Sequence, residues 1–409
     1  MKIGIFSDTH LGFDEKGERN KECFDNLNQA IDLCIQEKAD FVVLPGDVFH
    51  NPVPSHDVLF NSFKSFSKSK NVSSNLKLFL EKNGEKKQIE FSGLPILTIH
   101  GNHEYRGKET KTALDVLDLS GLIQYFHAGT ITVENNSEKV CVHGLGAVPE
   151  KKALEVLNYW NPKPVQNNCN LLLLHQGFKE FMAVDDEMIA TLSLDNLPKG
   201  FNLIINGHLH WYNEQKLGET TFLLPGSTIS TSIKKLESEK PKGVHFFDSK
   251  TKEFSFKPFP LQRRMFYHKV SFENADVETV LNECKKIISN DLSEKHEIKP
   301  LIRLNLKGTL KKGLSSGDIN LAEILNEFSE KAILSVSKNF SSLAFKKKIS
   351  ELREMQKSRL SLAAVGFELF EKNLNETDFE NAFDVKKLFD VLSESNLDEA
   401  MNLVAKKKE

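Results

Sequence analysis

Residues 2–10 read Lys-Ile-Gly-Ile-Phe-Ser-Asp-Thr-His, a short apolar run that ends abruptly on Asp8-Thr9-His10. The same construction recurs four times downstream. FVVL (41–44) leads into Gly46-Asp47, and PILTI (95–99) into His100-Gly101-Asn102-His103. NLLLL (170–174) leads into His175, and FNLII (201–205) into Gly207-His208-Leu209-His210. Each run is continuous rather than alternating, the pattern of a strand buried on both faces. Between the first two runs, Lys21–Gln36 carries apolar residues at 23, 24, 27, 30, 31, 34 and 35, a helical period. Buried strands alternating with a helix define an α/β fold, in which ligands bind at the carboxyl ends of the strands. Five such ends predict one cleft lined by Asp, Asn and His.

Burying these polar side chains without partners is costly, so a metal is the economical reading. Imidazole, carboxylate and amide donors without thiolate favour Mn, Fe or Zn over calcium. The strand ends offer seven candidate ligands, more than one ion needs. Two divalent ions are implied, bridged by a carboxylate at roughly 3.5–4 Å. His50 follows the second strand closely. His100 reads as a residue that orients a ligand, and His127 and His143 as surface or packing histidines.

Composition narrows the classes. In 409 residues, 54 Lys and Arg face 57 Asp and Glu, a net charge of −3, so nucleic-acid binding would need local basic patches. The five cysteines form no C-x-x-C pair, which excludes a disulfide scaffold or a thiolate zinc site. Cys23 and Cys34 lie on the apolar face of the 21–36 helix and read as small core residues. No secretion signal and no apolar run of about 18 residues is visible, so a soluble cytosolic protein is expected, with no membrane partner. No G-x-x-x-x-G-K-[ST] occurs, so the chain has no Walker-type ATP site.

A second helix is expected from an N-cap at Ser55 to about Phe66. Residues 67–92 are polar and read as a surface insertion or hairpin, and 211–260 as further strands of the same domain. Residues 266–335 read as a small α/β domain, with Arg263, Arg264, Lys285 and Lys286 near its start. From about 340 the chain reads as helix. Phe340, Leu343, Phe345, Ile349, Leu352 and Met355 recur at helical spacing, and a second helix near Thr377-Asp378 carries Phe379, Phe383, Leu388, Phe389 and Leu392. The Lys346-Lys347-Lys348 run reads as a solvated face, and Lys406-Lys407-Lys408 ends the chain.

The series D-x-H, G-D, G-N-H, H and G-H-x-H, in this order, resembles the calcineurin-like metallophosphoesterase superfamily. That resemblance implies a two-sheet αββα sandwich. It places Asp8, His10, Asp47 and His210 on one metal, and Asp47, Asn102, His175 and His208 on the other. His103 matches the residue that protonates the leaving oxygen or steadies the transition state. Gly46-Asp47-Val48-Phe49-His50, Ala113-Leu114-Asp115-Val116-Leu117, Pro225-Gly226-Ser227-Thr228 and Lys242-Gly243-Val244 further resemble the nuclease subunit of the double-strand-break repair complex, the meiotic-recombination-eleven/SbcD family. This implies a Mn-dependent DNA nuclease, acting as a 3′–5′ exonuclease on duplex ends and an endonuclease on single strands and hairpins. His50 would position the strand or nucleotide beside His103.

The family order implies a nuclease domain over 1–265, a DNA-capping domain over 266–339 and a helical ATPase-binding region over 340–409. It also implies an SMC-like ATPase partner bound by the C-terminal helices. A homodimer would form through the helices near 21–36 and 55–66, with Leu59, Phe63 and Phe66 as interface candidates. The location would be cytoplasmic, nucleoid-associated, or nuclear. One departure stands out: Glu104 follows Gly101-Asn102-His103 where the family has Asp. Glutamate there resembles the Ser/Thr protein phosphatases, but Phe49-His50-Asn51 stands where that group places a phosphate-gripping Arg. A protein phosphatase and a non-catalytic DNA-repair scaffold are the competing readings.

Overall fold

The computed structural model describes residues 1–105, 110–181, 192–341, 367, 370, 385–393 and 397–405. The expected tail residues Leu343, Phe345, Ile349, Leu352, Met355, Phe379 and Phe383 and both lysine runs lie outside the described residues. The chain begins β1 (Lys2–Ile5), α1 (Glu22–Gln36), β2 (Phe41–Pro45), α2 (His56–Phe66), β3 (Lys77–Lys82), β4 (Glu85–Ile89) and β5 (Ile96–Ile99). It continues α3 (Ala113–Leu119), β6 (Gln124–Tyr125), β7 (Gly129–Glu134), β8 (Lys139–Leu145), α4 (Ala153–Trp160), β9 (Cys169–Leu174) and β10 (Leu203–Asn206). Next come β11 (Asn213–Leu217), β12 (Thr220–Leu224), α5 (Lys235–Ser238), β13 (Gly243–Asp248) and β14 (Phe254–Pro258). The remaining elements are β15 (Met265–Ala275), α6 (Val277–Asp291), β16 (Leu301–Leu310), α7 (Ala322–Phe328), β17 (Ile333–Ser341), α8 (Val385–Ser393) and α9 (Leu397–Ala405).

One sheet runs β14-β13-β1-β2-β5-β6 and a second runs β11-β12-β10-β9-β8-β7-β3-β4. β1, β2 and β5 are parallel neighbours in the first, and β9 and β10 in the second. The continuous apolar runs follow from this layering. Ile3, Ile5, Val43, Leu97 and Ile99 share a core with Leu171, Leu173, Leu203 and Ile205 between the sheets. The alternate residues Val42, Leu44 and Ile96 pack with Leu27, Ala30, Ile31 and Cys34 of α1. Leu172, Leu174 and Ile204 pack with Leu157 of α4. A strand covered on both sides needs apolar residues at every position, because successive side chains point to opposite faces. The result is the expected αββα sandwich.

Residues 67–92 are more than a surface excursion. β3 and β4 form a hairpin that turns at Asn83-Gly84, and β3 pairs antiparallel with β7, extending the second sheet. Leu78 is fully buried in the core between the sheets, while Glu85, Lys86 and Lys87 charge the outer edge strand against further pairing. β7 shows the half-buried alternation Thr130-Ile131-Thr132-Val133, with the isoleucine and valine inward.

Ser55 caps α2, its hydroxyl accepting from the Val58 amide at 3.2 Å. Phe66 is fully buried, and Leu59 and Phe63 pack against the same core, whereas Phe60 is 69% exposed. Arg263, one of the basic residues near the start of the 266–335 segment, forms a largely buried ion pair with Glu22 at 2.7 Å. Phe340 also departs from the helical expectation: it lies in β17, where Leu334-Ser335-Val336-Ser337 alternates with a strand period.

Packing divides the chain into two compact units. One comprises Met1–His268, Ile288–Leu304 and Leu325–Ser335, and the other Lys269–Ile287, Asn305–Ile324 and Val336–Glu409. β15, β16 and β17 form a third sheet in that order. In the tail, Leu388 and Val391 of α8 pack with Ala400 of α9, leaving Leu397, Met401 and Val404 exposed. Among the described residues no helix is long and apolar enough to cross a membrane.

Candidate metal centre

The parallel strands β1, β2 and β5 deliver Asp8–His10, Asp47 and Asn102–His103 to one end of their sheet. β9 and β10 deliver His175 and His208–His210 from the other. The first two loops are laced together: the amides of Asp8, His10 and Leu11 donate to the carbonyls of Gly46, Asp47 and Val48 at 3.2, 3.0 and 2.7 Å. Asp8, His10, Asp47 and His208 all hold left-handed backbone, with φ of 53°, 44°, 48° and 74°. Such conformations cost on the order of 1–3 kcal/mol each and cluster at functional sites. Gly46 is required by close approach, since a Cβ there would meet His175 Nδ1 at 2.4 Å and Gly101 Cα at 2.9 Å.

Asp47 lies at the centre. Its Oδ2 is 3.3 Å from His175 Nε2 and 3.9 Å from the Nε2 atoms of His10 and His103. Its Oδ1 accepts from the His103 amide at 3.0 Å. On one side, His10 Nε2 and His210 Nε2 are 3.0 Å apart, and Asp8 Oδ1 is 3.8 Å from His210 Nε2. On the other, Asn102 Oδ1 lies 2.9 Å from His208 Nδ1 and 3.2 Å from His175 Nε2. Two donor groups therefore share one carboxylate: Asp8, His10, Asp47 and His210, and Asp47, His175 and His208, with ligand atoms within 4.8 Å of one another in each.

The donors fit a divalent cation. Asp8 is fully buried, and its Oδ2 has no hydrogen-bond partner among the described residues. An orphaned carboxylate oxygen on a buried residue clustered with His10 and His210 calls for a positive ion. The outer ring nitrogens are tied down, which aims the inner ones. His175 Nδ1 donates to the Pro45 carbonyl at 2.7 Å, and His210 Nδ1 contacts Thr231 Oγ1 at 3.1 Å.

Electrostatics point the same way. Burial lowers His10 to about 3 and His208 to about 4, and holds His210 well below its usual range, so their ring lone pairs are free to coordinate. Burial opposes charge on His175 too, but the adjacent Asp47 carboxylate overrides it and pushes the imidazole up to about 10. In turn, although burial works against it, Asp47 is held far below the carboxylate range by His175 and His10. Burial pushes Asp8 up to about 7. A proton on His175 thus takes the place a cation would hold.

His103 is partly exposed, its Nδ1 donating to the His50 carbonyl at 2.5 Å. His50 stands beside it, 5.2 Å between ring centroids, with its Nδ1 3.5 Å from His10 Nδ1. His100 does not orient a ligand: its ring bonds Tyr125 Oη and the Ala147 carbonyl, both at 2.9 Å. His143 packs in β8 between Thr130 Oγ1 and Asn170 Oδ1, and His127 accepts from the Gly146 amide. Two supporting roles were not legible. Glu104 accepts from the Phe49 amide at 2.6 Å and the Gly101 amide at 2.7 Å, clamping the loops that carry Asp47 and Asn102. Thr231 has no motif around it to single it out.

A shared carboxylate between two donor sets, at the strand ends of a double-sheet sandwich, defines a metal-dependent phosphoester hydrolase. The family model for calcineurin-like phosphoesterases matches residues 1–212, and the chain belongs to that family. It is similar to double-strand break repair protein mre-11 of Caenorhabditis elegans, at 26% identity over 64% of this chain and 41% of that one. It is similar to double-strand break repair protein MRE11 of Mus musculus at 27% identity, over 67% of this chain and 43% of that one. The Arabidopsis thaliana protein of that name is 25% identical over 75% and 49%. The chain thus spans less than half the length of these relatives. Among solved structures it is similar to Yfce, a phosphoesterase from E. coli, with 15% identity, 63% of this chain and 100% of that one covered, and a TM-score of 0.30.

Proposed function

We propose that the chain is a Mn-dependent DNA nuclease that processes double-strand breaks. It would act as a 3′–5′ exonuclease on duplex ends and an endonuclease on single strands and hairpins. The carrying observation is the position of Asp47 between two donor sets. Asp8, His10, Asp47 and His210 would hold one ion, and Asp47, Asn102, His175 and His208 the other. When bound, the ions supply Lewis acidity, drawing charge from the phosphoryl oxygens and acidifying water. The protein's own part is to fix the donors and to place His103 Nε2, 3.9 Å from Asp47 Oδ2, where it can give a proton to the leaving oxygen. His50 would steer the strand or nucleotide past His103. Similarity to proteins named for double-strand break repair supports DNA over a phosphoprotein as substrate.

The same reading gives the chain an SMC-like ATPase partner, a second copy of itself and a cytoplasmic, nucleoid-associated, or nuclear location. The exposed Leu397, Met401 and Val404 on α9 support docking of the tail in a partner groove. The small segment over 266–339 would cap the DNA. The test is cleavage of defined duplex and hairpin DNA by the purified chain with Mn, beside chelated protein, Asp47→Ala and a phosphopeptide substrate. DNA cleavage lost on chelation and in Asp47→Ala is the expected result. Full cleavage in either sample, or turnover of phosphopeptide alone, overturns the proposal.

A further inference from the structure

Behind His210, outside both donor sets, an ion pair is buried. Lys242 Nζ lies 3.3 Å from Glu237 Oε2, with side chains 13% and 0% exposed. The ammonium also donates to the His210 carbonyl at 3.0 Å and to Ser227 Oγ at 2.9 Å. A lysine has three N–H donors, and these three acceptors occupy all of them. Lys242 therefore has none left for a phosphate. Glu237 Oε1 accepts from Ser232 Oγ at 3.2 Å.

The acceptors say what the pair does. The Ser227 amide donates to the same His210 carbonyl at 3.2 Å, and Ser227 bridges to Ser7, next to Asp8. Lys242 thus fastens the segment after β10 to the segment after β12 at the point where both meet the end of β1. The His210 ring is fixed at Nδ1 by Thr231 and its main chain by Lys242, leaving Nε2 aimed at His10 and Asp8. Among the described contacts, neither Lys242 nor Glu237 touches Asn102, His175 or His208. Nor does stability account for the pair. A buried ion pair pays a large desolvation cost, and apolar residues of similar volume often hold a core as well or better.

We propose that Glu237 and Lys242 are a positioning pair that sets the metal affinity of the Asp8–His10–Asp47–His210 site without setting that of its neighbour. This rests on the reading of those four residues as ligands. The test is Mn titration of the full chain by calorimetry, with electron paramagnetic resonance to separate coupled from single ions. Wild type must first bind two ions; if it does not, the ligand reading itself fails. The double variant Glu237→Gln/Lys242→Met removes both charges together. It is expected to retain one ion at wild-type affinity and to lose about 10–100-fold at the other, the usual effect of removing an outer partner of a ligand. The coupled signal should give way to that of a single ion. Equal weakening of both sites, or two unchanged sites, in a variant that melts cooperatively overturns the proposal. If the double variant does not fold, Ser227→Ala carries the test, since it removes one Lys242 acceptor without exposing a charge. Weakening confined to one ion supports the proposal, and wild-type binding or equal loss at both overturns it.

Discussion

The ring of His103 is locked by the main chain of His50, its Nδ1 donating to the His50 carbonyl at 2.5 Å. That bond fixes the orientation of the ring and turns Nε2 toward Asp47, 3.9 Å from its Oδ2. His103→Ala is expected to bind Mn as wild type does and to lose about 10²–10⁴-fold in turnover, the usual worth of a general acid. His50→Ala keeps the carbonyl, so its loss should be smaller and should vary with the DNA used. Metal content and single-turnover rates on duplex and hairpin DNA check both. Loss of metal from His103→Ala, or identical behaviour of the two variants, would contradict these roles.

Metal uptake should release protons. Ligation needs a neutral imidazole and ionised carboxylates. Without metal, His175 is pushed up to about 10 by Asp47 against the opposing effect of burial, and burial pushes Asp8 up to about 7. Below pH 7 both groups carry protons that an ion must displace, and between 7 and 10 only His175 does. Mn affinity should therefore rise with pH throughout, more steeply below 7 than above. Calorimetry in buffers of different ionisation enthalpy counts the protons, with about one per chain expected near pH 8. A pH-independent affinity would show that the ion does not displace a proton from His175.

Glu104 spans the loops that present Asp47 and Asn102, with one carboxylate oxygen on each of two main-chain amides. Glu104→Gln turns an amide N–H2 toward one of those donors and leaves it unpaired. A buried donor without a partner costs about 1–3 kcal/mol. Glu104→Asp is one methylene shorter and should lose at least one of the two bonds at similar cost. Urea unfolding of the metal-free chain measures this. Wild-type stability in both variants would mean that the Phe49 and Gly101 amides find other acceptors.

How far the sequence could be read follows from what each feature depends on. Strands covered on both faces leave unbroken apolar runs, so β1, β2, β5, β9 and β10 were legible, and with them the donors at their ends. β7 and β8 were not singled out, because β7 alternates its apolar residues with Thr and Glu, and β8, although buried along most of its length, interrupts its apolar residues with His143 and Gly144. The side chains that hold the donors were harder still. Thr231 and the Glu237–Lys242 pair act through hydrogen bonds made by the fold, and an isolated Thr or Lys carries no period or spacing that announces such a bond. Phe340 misled because a lone aromatic fits either period. The Ser-x-Ser alternation before it decides for the strand.

The last prediction concerns self-association through α1 and α2. The family resemblance nominated this pair of helices, with Leu59, Phe63 and Phe66 as candidates, and burial favours a different residue for such a contact. Phe66 is fully buried in its own core, whereas Phe60 is 69% exposed on the same helix and Val53, just ahead of it, is 65% exposed. A large exposed ring is what a symmetric helix-to-helix contact can bury, and a charge placed there meets its own copy across the two-fold axis. Phe60→Glu is therefore expected to leave folding within about 0.5 kcal/mol of wild type, as surface changes do, while shifting the chain to monomer. Phe66→Ala should do the reverse, costing about 3–5 kcal/mol of stability while the folded fraction still pairs. Sedimentation equilibrium and urea unfolding on both variants separate the two effects. A Phe60→Glu protein that remains dimeric at low micromolar concentration moves the interface off this face of α2, and a wild-type monomer over the same range ends the dimer reading.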